Sequence, residues 1–344
     1  MTVNIDRDTI TLVRTIEFKK KPFPYYLNKY FSSIYESQEE QINFELVFGE
    51  RRLAPFVSPM LEGRPLPDQG YEVKSFKPAY IKPKNAVKPQ PMMKRRVGEA
   101  YLGSLSPAQR YNIYKMELFI QQAEAIDNRL EWMAVQSLLY GKVTISGENY
   151  PKCEVNYGRN GALTIKAKKP WTAVDAPIVD DIEEISVAMA SIPGGSQAKD
   201  IYFGPSVWKS MRKNKQLLDQ LDTQVAGTNA TIDRGPQTAA DDVVFVGSLG
   251  GGRLKLHCDS RQYQDDAGNM QPFLPEGVVM PVGDVEGVQC FGAIMDVKVL
   301  RPMRTFPKSW VQEDPSVEYV MTQSAPLVVP ARPNGSALLT DVLK

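Results

Sequence analysis

One histidine in 344 residues, His257, leaves this chain few routes to general acid–base catalysis, nucleophile activation or histidine-ligated metal. Cysteine is nearly as scarce. Cys153, Cys258 and Cys290 lie far apart without CxxC spacing, which argues against a disulfide framework or a zinc site and leaves buried thiols as the expectation. No apolar run approaches the about 18 residues that a membrane span requires. The opening MTVNIDRDTITLVRTIEFKKK carries acids early and has no continuous apolar stretch, so no secretory leader is expected and the compartment reads as a cytoplasm. An excess of one charge is missing as well. The 41 Lys and Arg stand against 40 Asp and Glu, whereas a dedicated nucleic-acid binder needs a strongly basic domain.

The motifs that invite a chemical reading have plainer ones. His257 sits in the alternating run Arg253–Cys258 and is expected on a strand. Gly247–Gly252 is glycine-rich, but no Lys-Ser or Lys-Thr follows and a strand comes next, so a hairpin turn is expected rather than a phosphate loop. Asp265–Asn269 has calcium-loop residue types without the spacing or closing glutamate of an EF-hand, and reads as a polar turn. Asn229-Ala230-Thr231 is a glycosylation sequon only in a secreted chain. Asp180, Asp181, Glu183 and Glu184 fall in the first turns of an expected helix, where they complement its dipole. No catalytic residue, cofactor site or metal site is assigned.

What the chain does have is a segment of unusual composition between Arg51 and Val97. Its eight prolines remove backbone donors and fix φ, so it reads as extended chain or edge strand. Structureless stretches of this length are usually arms, lids or disorder, and disorder is disfavoured by Phe56, Tyr71, Phe76, Tyr80 and the aliphatic residues among them. The segment holds eleven cations against three acids, a local net of +8 in a chain whose total is +1, so the remainder carries −7. A basic arm on an acidic body suits docking of one copy onto the next. The residues expected at that contact are Arg64, Tyr71, Lys74, Lys77, Tyr80, Lys82, Lys84, Lys88, Arg95 and Arg96. A solvated basic face, a nucleic-acid patch using the same cations, and an enzyme of unassigned class with a polar pocket stay open at this point.

The rest of the chain gives an α+β pattern of mixed helices and antiparallel strands. The aromatic cluster Phe23, Tyr25, Tyr26, Tyr30 and Phe31 reads as an extended arm pinned by its rings. Ser106-Pro107-Ala108-Gln109 combines a good N-cap, a proline at the first helical position and a capping-box glutamine, so a long helix starts there and runs to Tyr140. Ile113, Met116, Ile120, Leu130 and Leu138 share one helical stripe and are expected in the core. Lys142–Tyr157 reads as a hairpin, Asp180–Ala190 as a shorter helix, and Pro205 opens another through Leu218. Strands are expected at 201–203, 243–246, 254–258, 278–281, 288–293 and 296–300, and a last one from Glu318 to Val329.

FVSPMLEGRPLP (Phe56–Pro67), FKPAYIKPKNAVKPQ (Phe76–Gln90), GKVTISGENY (Gly141–Tyr150), NMQPFLPEG (Asn269–Gly277) and PKSWVQEDPSVEYVMTQSAPLVV (Pro307–Val329) resemble, in that order, segments of the phage lambda-type major capsid proteins. The resemblance implies an α+β Hong Kong 97-type capsid fold. Its parts would be an N-terminal arm over 1–45, an extended E-loop over 46–100, a peripheral domain over 101–170 and 305–344 with a spine helix over 107–140, and an axial domain over 171–304. It implies hexamers and pentamers of this chain, closing into an icosahedral head around double-stranded DNA that is held non-specifically at the inner surface. Portal, scaffolding and decoration proteins are further implied partners, the scaffold being a separate protein and the decoration protein pairing with strand edges near Tyr71–Tyr80. The implied location is the virion capsid, assembled in the host bacterial cytoplasm, with no membrane, cofactor or catalytic turnover.

Overall fold

The long helix spans Pro107–Tyr140, 34 residues or about 50 Å at 1.5 Å per residue. Its start is closed by the capping box, with Gln109 N–H donating to Ser106 Oγ at 3.3 Å and Ser106 N–H to Gln109 Oε1 at 2.8 Å. Its end is set by Gly141, whose φ of 64° is the left-handed conformation that a side chain disfavours, and whose N–H donates to Ser137 O at 2.9 Å. The computed structural model describes residues 24–39, 41–47, 71–88, 105–147, 150–173, 175–214, 217, 242–250, 252–296, 303–314 and 316–344.

Burial changes along this helix, and one core expectation fails. In the C-terminal half Leu130, Ala134, Val135, Leu138 and Leu139 are completely buried. The N-terminal half lies on one small sheet of three antiparallel strands, Phe306–Gln312, Val317–Gln323 and Lys84–Val87, which covers a single side. Leu118 and Gln122 take that side, Gln122 bonding Asn85 Oδ1 at 2.7 Å and Val320 O at 3.0 Å. Met116 and Ile120, each two residues from Leu118, point about 200° away around the axis. Met116 is therefore 60% exposed, and Ile113 and Ile120 are only half-buried.

A six-stranded sheet forms the second body, in the order Thr164–Lys166, Leu338–Thr340, Val279–Val282, Asp200–Phe203, Leu254–Asp259, Val243–Leu249. Helices Ile178–Ser191 and Pro205–Met211 supply Ile182, Ile185, Met189, Val207 and Met211 to the same apolar cluster as Ile201, Phe203, Leu256 and Leu339. The domain limits at 170 and 305 cut across this sheet, because Thr164–Lys166 and Leu338–Thr340 are part of it. A further sheet joins Ser33–Glu36, Gly287–Phe291 and Pro326–Pro330. Three two-stranded ribbons complete the description: Ile42–Val47 with Tyr71–Phe76, Lys142–Gly147 with Tyr150–Asn156, and Gln262–Gln264 with Met270–Pro272.

Several local expectations are corrected. Three strand pairs are parallel, Ser33–Glu36 with Gly287–Phe291, Asp200–Phe203 with Leu254–Asp259, and Thr164–Lys166 with Leu338–Thr340. The arm aromatics do not stay extended: Tyr25–Tyr30 is a short helix, because a distant carboxylate caps it. The expected last strand is two strands, broken at Ser324-Ala325 where the chain leaves one sheet for another. There Ser324 bridges Ile81, and Pro326, which has no N–H, begins the ladder opposite Phe291. Strand Phe306–Gln312 was not foreseen, nor was the one at Leu338–Thr340, and the helix from Pro205 ends at Met211. Cys153 is half-buried rather than buried. Most of the expected strand at 296–300, the far end of the 205–218 helix and Phe23 lie outside the described residues.

Candidate functional site

The histidine occupies a structural place. His257 lies in strand Leu254–Asp259, its Nε2 is 2.9 Å from Asp200 Oδ1, and its ring stacks on Tyr202 at 5.0 Å between centroids. Burial pushes the Asp200 carboxyl upward, but hydrogen bonds from His257, Lys29 and Tyr30 outweigh it and hold the group far below the ordinary carboxylate range. Among the described residues no three His, Cys, Asp or Glu side chains stand where they could hold a metal ion. A cavity of about 380 Å³ opens between the arm and the loop at 283–287, and the charged groups on its wall are already paired, Lys29 to Asp200, Lys199 to Asp284, and Glu286 to Arg332 beyond the wall. Asp265 accepts from the N–H groups of Ala267 and Asn269, which makes its segment the polar turn of a ribbon. Among the described residues no helix is long and apolar enough to cross a membrane.

The basic segment offers a surface instead. Tyr71 opens the strand that pairs with Ile42–Val47 and lies opposite Val47, in a two-stranded ribbon whose Ile42 and Phe44 are buried in the main core. Lys74 is half-buried and reaches Asn156 O at 3.3 Å; Lys77 is exposed. From Pro78 onward the segment folds onto its own chain. Pro78 is buried against Gly292, where a Cβ would come within 2.7 Å of its ring. Tyr80 donates to Ala293 O at 2.9 Å, and Lys82 lies over the Tyr80 ring at 4.7 Å. Lys84 sits 3.8 Å above the Tyr319 ring and 5.1 Å from that of Trp310, and the strand Lys84–Val87 completes the sheet under the long helix. Lys82, Lys84 and Lys88 remain exposed to solvent. Arg64, Arg95 and Arg96 lie outside the described residues.

Large apolar side chains are exposed as well. Ile34 and Tyr35 are 53% and 52% exposed on strand Ser33–Glu36, Val311 is 64% exposed, and Met116 rises from the poorly covered half of the long helix. Within one chain they are unsheltered, and apolar groups left in water favour contacts with a partner.

Sequence reasoning missed a buried polar junction where the arm, the long helix and the six-stranded sheet meet. Arg261 donates to Glu131 at 2.8 Å and to Asp259 at 3.0 Å, with all three groups nearly sealed from solvent. Glu131 accepts the N–H groups of Tyr26 and Leu27, both at 2.9 Å, and Tyr26 Oη donates to Asp259 at 2.9 Å. Burial works against the Arg261 charge, but hydrogen bonds and attraction from Asp259 and then Glu131 hold its pKa above the usual arginine value. A signal existed: Glu131 lies beside Leu130 and Ala134 in an otherwise apolar stretch of the helix.

Residues 8–340 match the family described as phage major capsid protein E. The chain is 30% identical over 332 residues to the major capsid protein of Enterobacteria phage P21, covering 93% of this chain and 95% of that protein. It is 29% identical over 335 residues to the major capsid protein of Escherichia phage lambda, covering 95% and 96%. The crystal structure of a putative capsid protein of an Escherichia coli CFT073 prophage superimposes with a TM-score of 0.69 at 24% identity, over 99% of each chain.

Proposed function

This chain belongs to the phage major capsid protein E family, a structural component of the phage head with the Hong Kong 97-type α+β fold and not an enzyme, and from that premise we propose how it builds a shell. Copies assemble into hexamers and pentamers that close an icosahedral head around double-stranded DNA, in the host bacterial cytoplasm. The arm is 1–45 and the E-loop 46–100. The peripheral part is 101–170 with 305–344, less Thr164–Lys166 and Leu338–Thr340, which pair with the axial sheet of 171–304. A scaffolding protein, a portal and a decoration protein complete the head.

The observation that supports this most is that the basic segment is fastened to its own subunit while most of its lysines face solvent. Pro78–Val87 is fastened to the sheet beneath the long helix with Lys82 and Lys84 left exposed, and Tyr71–Phe76 pairs with Ile42–Val47, whose Ile42 and Phe44 are seated in the main core. Exposed cations held at fixed places on a body of net negative charge fit a clamp laid across the next copy. Because Lys84–Val87 builds the subunit's own sheet, the clean disruption is one of charge. Lys82→Glu with Lys88→Glu should leave a folded subunit that assembles poorly, read by sedimentation and electron microscopy. Normal yields of closed shells from this variant would remove the clamp, and a wild-type chain that never forms shells alongside a scaffolding protein would remove the assembly reading itself.

A further inference from the structure

We propose that residues 24–31 form a clasp that opens and closes on a socket built by the rest of the chain, without global unfolding, and that its closed state locks the long helix to the six-stranded sheet. The clasp cannot stand alone. A helix of six residues is well below the about 12–15 at which isolated helices become marginal in water, and Pro24 gives it no side-chain cap. Its cap comes from the socket, through both oxygens of Glu131. At the other end Lys29 Nζ meets Asp200 at 2.9 Å, Tyr30 Oη donates to the same carboxylate at 2.9 Å, and Gln289 Nε2 donates to Phe31 O at 2.6 Å.

The socket survives the clasp's departure with its charges paired. Arg261 stays bridged to Glu131 and Asp259, and His257 stays bonded to Asp200. The seat is also shaped in advance. Gly287 lies under the Phe31 ring, where a Cβ would come within 2.1 Å of Cδ1. Closure is not perfect: Gln289 Oε1 is buried without a partner, a standing cost that opening to water relieves. Tyr26, Leu27 and Phe31 are each exposed by 1% or less, which keeps the open state rare, and the pairing left behind keeps it reachable. Glu131 belongs to the long helix, Asp200 and Asp259 to neighbouring strands of the sheet, so these eight residues add a polar tie between two bodies that already share core packing.

Hydrogen–deuterium exchange of the full-length protein, read by mass spectrometry, tests this. Peptides over 24–32 should exchange by local opening, well ahead of peptides over 130–139. Glu131→Gln keeps the shape and removes the charge, and should speed exchange over 24–32 on the order of tenfold more than over 130–139. Gly287→Ala pushes on Phe31 from the opposite end and should do the same. Exchange over 24–32 that only ever tracks 130–139, in the wild type and in both variants, overturns the clasp and makes the segment ordinary core. If Glu131→Gln fails to fold, the wild type and Gly287→Ala decide the question by the same comparison.

Discussion

Replacing Arg261 with methionine keeps much of the aliphatic volume and deletes the guanidinium between Glu131 and Asp259. The side chains of Glu131, Asp259 and Arg261 are 3%, 0% and 8% exposed, so water cannot take over the lost pairing. The loss in folding stability should match that for breaking a buried pair, about 3–5 kcal/mol. It should also carry a pH signature. In the variant two sealed carboxylates face one another without a cation, and burial with mutual repulsion lifts their pKa above unfolded values of about 4. A group raised by folding is harmless below its unfolded pKa and destabilises as pH climbs through its folded one. Urea denaturation of wild type and variant, at about pH 5 and about pH 8, should therefore show a gap that widens at the higher pH. A gap below about 1 kcal/mol at both, or one of equal size at both, would refute the reasoning, since it would mean that the junction is hydrated or repacks.

Asp200 should behave in the opposite sense, because its pKa is depressed in the fold: its contribution is present above the unfolded value of about 4 and fades as pH falls below it. Asp200→Asn is thus expected to lose stability near neutrality and to converge on the wild type in acid, measured by thermal melts across pH. Burial pushes the Cys258 and Cys290 thiols up to about 11, so a thiol reagent at neutral pH should modify Cys153 first and the other two only on unfolding. Three fast thiols in the native protein would contradict this. Leu138→Ala should cost about 2–5 kcal/mol of subunit stability, whereas Met116→Ala should cost little and, if a neighbouring copy covers that side chain, reduce shell yield instead.

The long helix was legible because its signals are local: Ser106, Pro107 and Gln109 start it, Gly141 stops it, and nothing between breaks it. The ribbons and buried strands were legible from alternation and glycine-rich turns. What failed depends on partners distant in sequence. Met116 belongs to the same stripe as Leu130, but only the C-terminal half of the helix has most of its residues buried. The helix at Tyr25–Tyr30 has no local cap, its capping group lying more than a hundred residues away. Parallel pairings such as Leu338–Thr340 with Thr164–Lys166 leave no turn between the partners for a reader of sequence to find. Composition marks out the basic segment, but not that its Lys84 rests on the chain's own Tyr319, a partner far along the sequence.

The seat of Leu338–Thr340 inside the six-stranded sheet has a consequence for timing during synthesis. Thr164–Lys166 touches the sheet only through that strand, so a nascent chain that has not yet passed Thr340 holds its second body with one strand loose and the apolar cluster around Leu339 unfilled. At about 5–20 residues per second, the long helix is made many seconds before this last piece arrives. A ribosome-bound or prematurely terminated chain therefore lacks a finished surface on that side. Translation past Thr340 is thus a checkpoint in time: only a chain that carries this strand can close its second body.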